Sequence, residues 1–112
     1  MKTTEYERFV GQMVRTPVEC SIMGLAGEAG EVVDLCKKHL YHDKPLDHSK
    51  LTLELGDALF YLTDIARQYG ISLDDVMAAN VDKLTKRFPQ GHFTPEDANR
   101  RADEILAKTG GL

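Results

Sequence analysis

Two pairs of acids are the residues in this sequence best placed to do chemistry. Glu28 and Glu31 stand three residues apart, and so do Glu54 and Asp57. On a helix that spacing puts both members of a pair on one face, a turn apart. If the two segments pair as helices, four carboxylates converge. Hard oxygen donors in that number suit Mg²⁺ or Mn²⁺ and not Zn²⁺.

The surroundings of the acids argue against a solvated surface. On a helical wheel Leu51, Leu55, Ala58, Leu59, Leu62, Ile65, Ala66 and Tyr69 form an apolar stripe. Beside it runs a polar line of Glu54, Asp57, Tyr61, Asp64 and Gln68, and Leu53 and Phe60 lie beyond that line. Gly56, Thr63 and Arg67 form the expected solvated face. The earlier helix has its own stripe of Ile22, Leu25, Ala29, Val32, Val33, Cys36 and Leu40, with Glu28 projecting between Ser21 and Leu35. Carboxylates flanked by apolar surface are costly to bury unless a positive charge meets them.

Glycines recur around the acids: Gly24, Gly27 and Gly30 on one helix and Gly56 on the other. Each interior glycine costs about 1 kcal/mol relative to alanine. Close approach of a backbone or a ligand, or a tight helix crossing, are the reasons to accept that cost. The spacing matches neither a dinucleotide fingerprint nor a P-loop.

A third segment is basic. Asn80, Lys83 and Arg87 fall within or at the margin of a stripe made by Leu73, Val76, Met77, Val81, Leu84 and Phe88. They either neutralise the acids or hold phosphates, Arg through two oxygens and Lys as a point charge. Metal-binding carboxylates with nearby Lys and Arg are what cleavage of a polyphosphate requires.

Breakers and caps place these residues on helices. The periodicity predicts helices over about Thr4 to Val14, Val18 to His39, His48 to Tyr69, and Ser72 to Arg87, with a fifth, short one from Thr94-Pro95. Gly70 is a natural stop. No segment alternates as a strand does. The expected fold is all-α: an antiparallel bundle of four core helices plus a short C-terminal helix, completed by oligomerisation. The 112 residues suit a single domain, 1–112, with 107–112 a frayed tail.

Bulk properties limit the partners. The net charge of −4, from 18 acidic and 14 basic residues, argues against a general nucleic-acid binder. No apolar run approaches a membrane span, and the N-terminus is unlike a signal peptide. Cys20 and Cys36 would lie about 24 Å apart on one helix, too far for a disulfide. Reduced thiols, with Cys36 in the core, point to the cytoplasm. His39, His42 and His48 invite a zinc reading, but no thiolate accompanies them in their loop setting.

The run Gly24-Leu25-Ala26-Gly27-Glu28-Ala29-Gly30-Glu31-Val32 resembles the first metal motif of the MazG-like all-α nucleotide pyrophosphohydrolases. Glu54-Leu55-Gly56-Asp57 resembles their second motif, and the segment Asn80 to Pro89 resembles their later basic one. The similarity covers about Tyr6 to Phe93. His92 between Gly91 and Phe93 departs from the family pattern. The resemblance implies hydrolysis of a nucleoside or deoxynucleoside triphosphate to the monophosphate and pyrophosphate. It further implies that Glu28, Glu31, Glu54 and Asp57 form the catalytic set and hold Mg²⁺, with Mn²⁺ as substitute. Lys83 and Arg87 would contact phosphates, and Asn80 and Tyr61 would touch the nucleotide. A homo-oligomer, dimer or tetramer, and a role in nucleotide-pool housekeeping are also implied. The alternatives are a pyrophosphohydrolase for another substrate such as phosphoribosyl-ATP, and a non-catalytic helical interaction module. A di-iron bundle expects Glu-x-x-His motifs, which are missing here.

Overall fold

The computed structural model describes residues 1–96. Four helices follow one another: α1 (Thr3–Met13), α2 (Val18–Tyr41), α3 (His48–Gln68) and α4 (Leu73–Arg87). Among the described residues there is no strand, so the all-α expectation holds, and each helix lies within two residues or so of its expected bounds. The expected fifth helix, beyond its first residues, and the tail fall outside the described residues.

The boundaries have local causes. Pro17, extended at φ −62° and ψ 158°, ends the α1–α2 link and occupies the N-cap of α2. Asp47 caps α3 by accepting a hydrogen bond from the Lys50 N–H at 3.0 Å. At the other end Gly70 takes φ +73°. Ile71 N–H then reaches the Ala66 carbonyl at 2.8 Å and Gly70 N–H the Arg67 carbonyl at 3.0 Å. That pair of hydrogen bonds is the Schellman closure, which favours glycine at the left-handed position.

The chain divides into two compact units, Met1–Leu73 and a second beginning at Asp74. In the first, α2 packs along α3, and α1 lies against α3. The pairings Ser21 with Asp64 and Gly24 with Tyr61 run in opposite chain directions, so α2 and α3 are antiparallel. Phe9 of α1 meets Phe60 of α3 edge to face, with centroids 6.4 Å apart. Val10 is fully buried.

The faces of α3 are used as expected on the polar side and differently on the apolar one. The polar line faces α2: Asp64 is 0% exposed, and Tyr61 and Glu54 are half-buried. Thr63, expected in solvent, is buried and returns its hydroxyl to the Leu59 carbonyl at 2.7 Å. Leu55, Leu59, Leu62 and Tyr69 of the apolar stripe are exposed, as are Ile22, Val33 and Leu40 of α2. Cys36 is half-buried where a core position was expected, and both cysteines are free. The physical reason is the contact line itself: α2 presents Ser21, Gly24 and Glu28 to α3, and α3 meets them with Asp64, the Tyr61 ring and the Glu54–Asp57 pair.

In the second unit Phe88 is buried and packs edge to face on Phe93 at 4.6 Å. Lys86 pairs with Asp82 at 3.0 Å on the exposed face of α4. No helix among the described residues is long and apolar enough to cross a membrane.

Candidate metal centre

Glu28, on the fourth turn's edge of α2, and Glu54 and Asp57, one turn apart on α3, bring one carboxylate oxygen each to within 4.8 Å of one another. Two of the three are half-buried and Asp57 is exposed, so the cluster opens to solvent on one side. Glu28 Oε2 is buried and has no hydrogen-bond partner. Its acceptor capacity is unmet unless a proton or a cation arrives.

The electrostatics agree. The Glu28 carboxyl is held above its ordinary 4.5, first because a proton can be shared with Glu54, then through burial and the charges of Asp57, Glu54 and Glu31. A group that resists ionisation because acids crowd it is relieved equally well by a divalent cation. All donors are carboxylate oxygens, the hard set that suits Mg²⁺ or Mn²⁺.

Glu31 is exposed and is not among the three oxygens that converge. It lies one turn beyond Glu28, and its charge is felt both by Glu28 and by Lys38. The cluster therefore brings together three of the four expected acids, with Glu31 at its margin.

Tyr61 is placed differently from a free stacking platform. A Cβ built at Gly24 would sit 2.6 Å from Tyr61 Cε1 and Cζ, so the ring occupies the space beside the α2 backbone. Its ring edge meets Phe60 at 5.7 Å. Tyr61 also lines a cavity of about 430 Å³ with Met13, Arg15, Thr16, Cys20 and Phe60. Gly27, Gly30 and Gly56 have nothing within 4 Å of an added Cβ. The close approach expected of the glycines is thus met at Gly24, while the other three face open space among the described residues.

Tyr6 of α1 belongs to none of the motifs that the sequence offers. The structure puts it where burial and the charge of Asp57 raise its phenol above 10.0, at the rim of the acidic cluster. No spacing rule connects residue 6 with residue 57, so only the docking of α1 on α3 reveals it.

Asn80, Lys83 and Arg87 share one face of α4 at i, i+3 and i+7. Asn80 and Lys83 are exposed and Arg87 is half-buried within the second unit.

Comparison with known proteins adds an independent finding. The MazG nucleotide pyrophosphohydrolase domain matches residues 18–92. The chain is 34% identical over 82 residues to the Gene 37 protein of Mycobacterium phage L5, covering 70% of this chain and 72% of that protein. It is 36% identical over 73 residues to the uncharacterized protein YvdC of Bacillus subtilis (strain 168), covering 57% of this chain and 69% of that one. No solved structure matches the chain.

Proposed function

The chain belongs to the MazG nucleotide pyrophosphohydrolase domain family, and from that premise we propose that it hydrolyses nucleoside or deoxynucleoside triphosphates to the monophosphate and pyrophosphate, dependent on Mg²⁺. The observation that carries this reading is the convergence of Glu28, Glu54 and Asp57 around a buried, unpartnered carboxylate oxygen. These three would hold the metal, with Glu31 one turn beyond Glu28 at the margin of the set. When bound, a divalent cation would offset the charge of the triphosphate and lower the pKa of a water, so that the water can give up its proton as it attacks phosphorus.

The remaining steps fall to the chain's own residues. Glu31, exposed and outside the tight cluster, takes the proton from the attacking water. Lys83 and Arg87 meet negative charge on the phosphates, and Arg87 is the one suited to two oxygens at once. The cavity beside Tyr61 takes the nucleoside end. Tyr61 lies one turn from Asp57, and the cavity's aromatic and apolar walls favour a planar base. Among the described residues Ile22, Val33, Leu40, Leu55, Leu59 and Leu62 are exposed apolar side chains, which supports assembly into a homo-oligomer.

The deciding experiment is a panel of canonical and modified NTPs and dNTPs, with phosphoribosyl-ATP included, scored for pyrophosphate with and without Mg²⁺. Metal-dependent pyrophosphate from at least one nucleotide is expected. Release from none of them, by folded protein, sinks the reading.

A further inference from the structure

Carboxylates crowded within 4.8 Å repel one another, and among the described residues no ion pair engages any of the three. Something else has to hold α2 against α3 before a cation arrives. Two turns away lies a candidate. Ser21 Oγ donates to Asp64 Oδ2 at 2.6 Å, joining α2 to α3 through two side chains that are 2% and 0% exposed.

Asp64 is itself immobilised. Arg67 Nη2 donates to its Oδ1 at 2.9 Å, and Gln68 Nε2 donates to its Oδ2 at 2.6 Å. Gln68 also reaches back to the Thr16 carbonyl at 3.4 Å, on the link that leads into α2. Arg67 lies over Gly11 of α1, where an added Cβ would come within 3.2 Å of its Cδ. One buried carboxylate thus gathers α1, the α1–α2 link, α2 and α3.

The spacing makes this bond more than a local tie. Ser21 precedes Glu28 by seven residues on α2, and Asp64 follows Asp57 by seven on the antiparallel α3. Seven residues are two turns, about 10 Å of rise. Gly24 and Tyr61 interlock between the two levels, on the same contact line. A slip of α3 by one residue would turn its side chains by about 100° and carry Glu54 and Asp57 away from Glu28. We propose that Ser21 and Asp64 are positioning residues for the metal centre: their buried hydrogen bond sets the register in which the acids of α2 and α3 stand together before metal binds. This inference rests on the metal-binding reading given above.

The test is Mn²⁺ binding to the full chain, followed by electron paramagnetic resonance of the free ion. It compares wild type, Ser21→Ala, Ser21→Thr and Val10→Ala. Circular dichroism fixes a temperature at which all four are folded. Val10→Ala opens the core of α1 without touching the α2–α3 register, and so separates positioning from general loss of stability. The expected result is at least tenfold weaker Mn²⁺ binding by Ser21→Ala. Ser21→Thr, which keeps the hydroxyl, and Val10→Ala should both stay within threefold of wild type. Should Ser21→Ala bind as tightly as wild type, or Val10→Ala lose as much as Ser21→Ala, the register lock is overturned while the metal site stands. A wild-type chain that takes up no Mn²⁺ at all removes the metal reading, and the lock with it.

Discussion

The Tyr61 ring fills the space that a side chain at position 24 would need, with its Cε1 and Cζ 2.6 Å from where a Cβ of residue 24 would stand. Alanine there gains about 1 kcal/mol in helix propensity but must push an aromatic ring off the α2 backbone, an overpacking cost of about 1–3 kcal/mol. Gly24→Ala is therefore expected to lower the melting temperature. Gly27→Ala, whose Cβ enters open space, is expected to raise it. Thermal melts of the two variants side by side check the pair, and a rise for both would show that the ring yields freely.

Glu54 lies in the tight cluster and has no hydrogen-bonding duty among the described residues that glutamine could not fill. Glu54→Gln should lower pyrophosphate release at least a hundredfold, close to 3 kcal/mol in the barrier, with the circular dichroism spectrum unchanged. Chelation of divalent ions should silence the wild type to the same extent. Normal turnover by the variant at saturating Mg²⁺ would refute the assignment.

The raised Glu28 carboxyl predicts a pH signature. Its folded value lies above the ordinary 4.5, so the folded chain binds this proton more tightly than the unfolded one. Stability then falls as pH rises from the ordinary value through the raised one, and the deficit persists above it. Without metal, Glu28→Gln should melt higher than wild type at pH 8, by more than it does at pH 4. Mg²⁺ should raise the wild-type melt at pH 8, and protons should compete with the metal as pH falls. An equal gap between wild type and variant at both pH values would contradict the crowding.

Asp64 works in the opposite sense. Burial pushes its carboxyl up, but the hydrogen bonds from Ser21, Gln68 and Arg67 outweigh burial and hold it below its ordinary 3.8. Its contribution is complete above that ordinary value and is lost as pH falls through the lowered one. Asp64→Ala removes a buried acceptor shared by three donors, for which a loss of about 3 kcal/mol is expected. Urea unfolding at pH 7 measures that loss. The difference from wild type should shrink as pH is lowered below 3.8 and the wild-type carboxylate is driven to take up its proton.

The basic face of α4 predicts a graded result. Lys83→Ala and Arg87→Ala should each lower kcat/KM by about 10- to 100-fold, since each removes a charge from the phosphates. Arg87→Lys should recover little, because a point charge does not replace a two-pronged donor. Steady-state kinetics on the best nucleotide of the panel decide it. Unchanged kcat/KM in both alanine variants would remove α4 from substrate binding.

Much of the protein was readable from local order. The helical periodicity and the stop at Gly70 bound helices whose limits the structure matches closely. Glu54 and Asp57 share a face because a helical period requires it, and so do Asn80, Lys83 and Arg87. The family motifs likewise lie in unbroken runs of chain.

The pairing of helices was not readable in the same way. An amphipathic wheel assigns the apolar stripe to the inside, yet Leu55, Leu59 and Leu62 are exposed and Asp64 and Thr63 are buried. The wheel sets Glu28 among apolar neighbours and the i, i+3 spacing pairs it with Glu31, but only the fold shows that Glu28 alone joins the two acids of α3. Periodicity along one helix is a property of consecutive residues, so the sequence by itself determined where the helices run and which side chains share a face. Which face meets which neighbour depends on partners far apart in the chain, such as Ser21 and Asp64, 43 residues apart, and on the fit of Tyr61 over Gly24. Steric fit and a buried hydrogen bond act only once the helices are side by side, so only the tertiary structure could decide which acids meet.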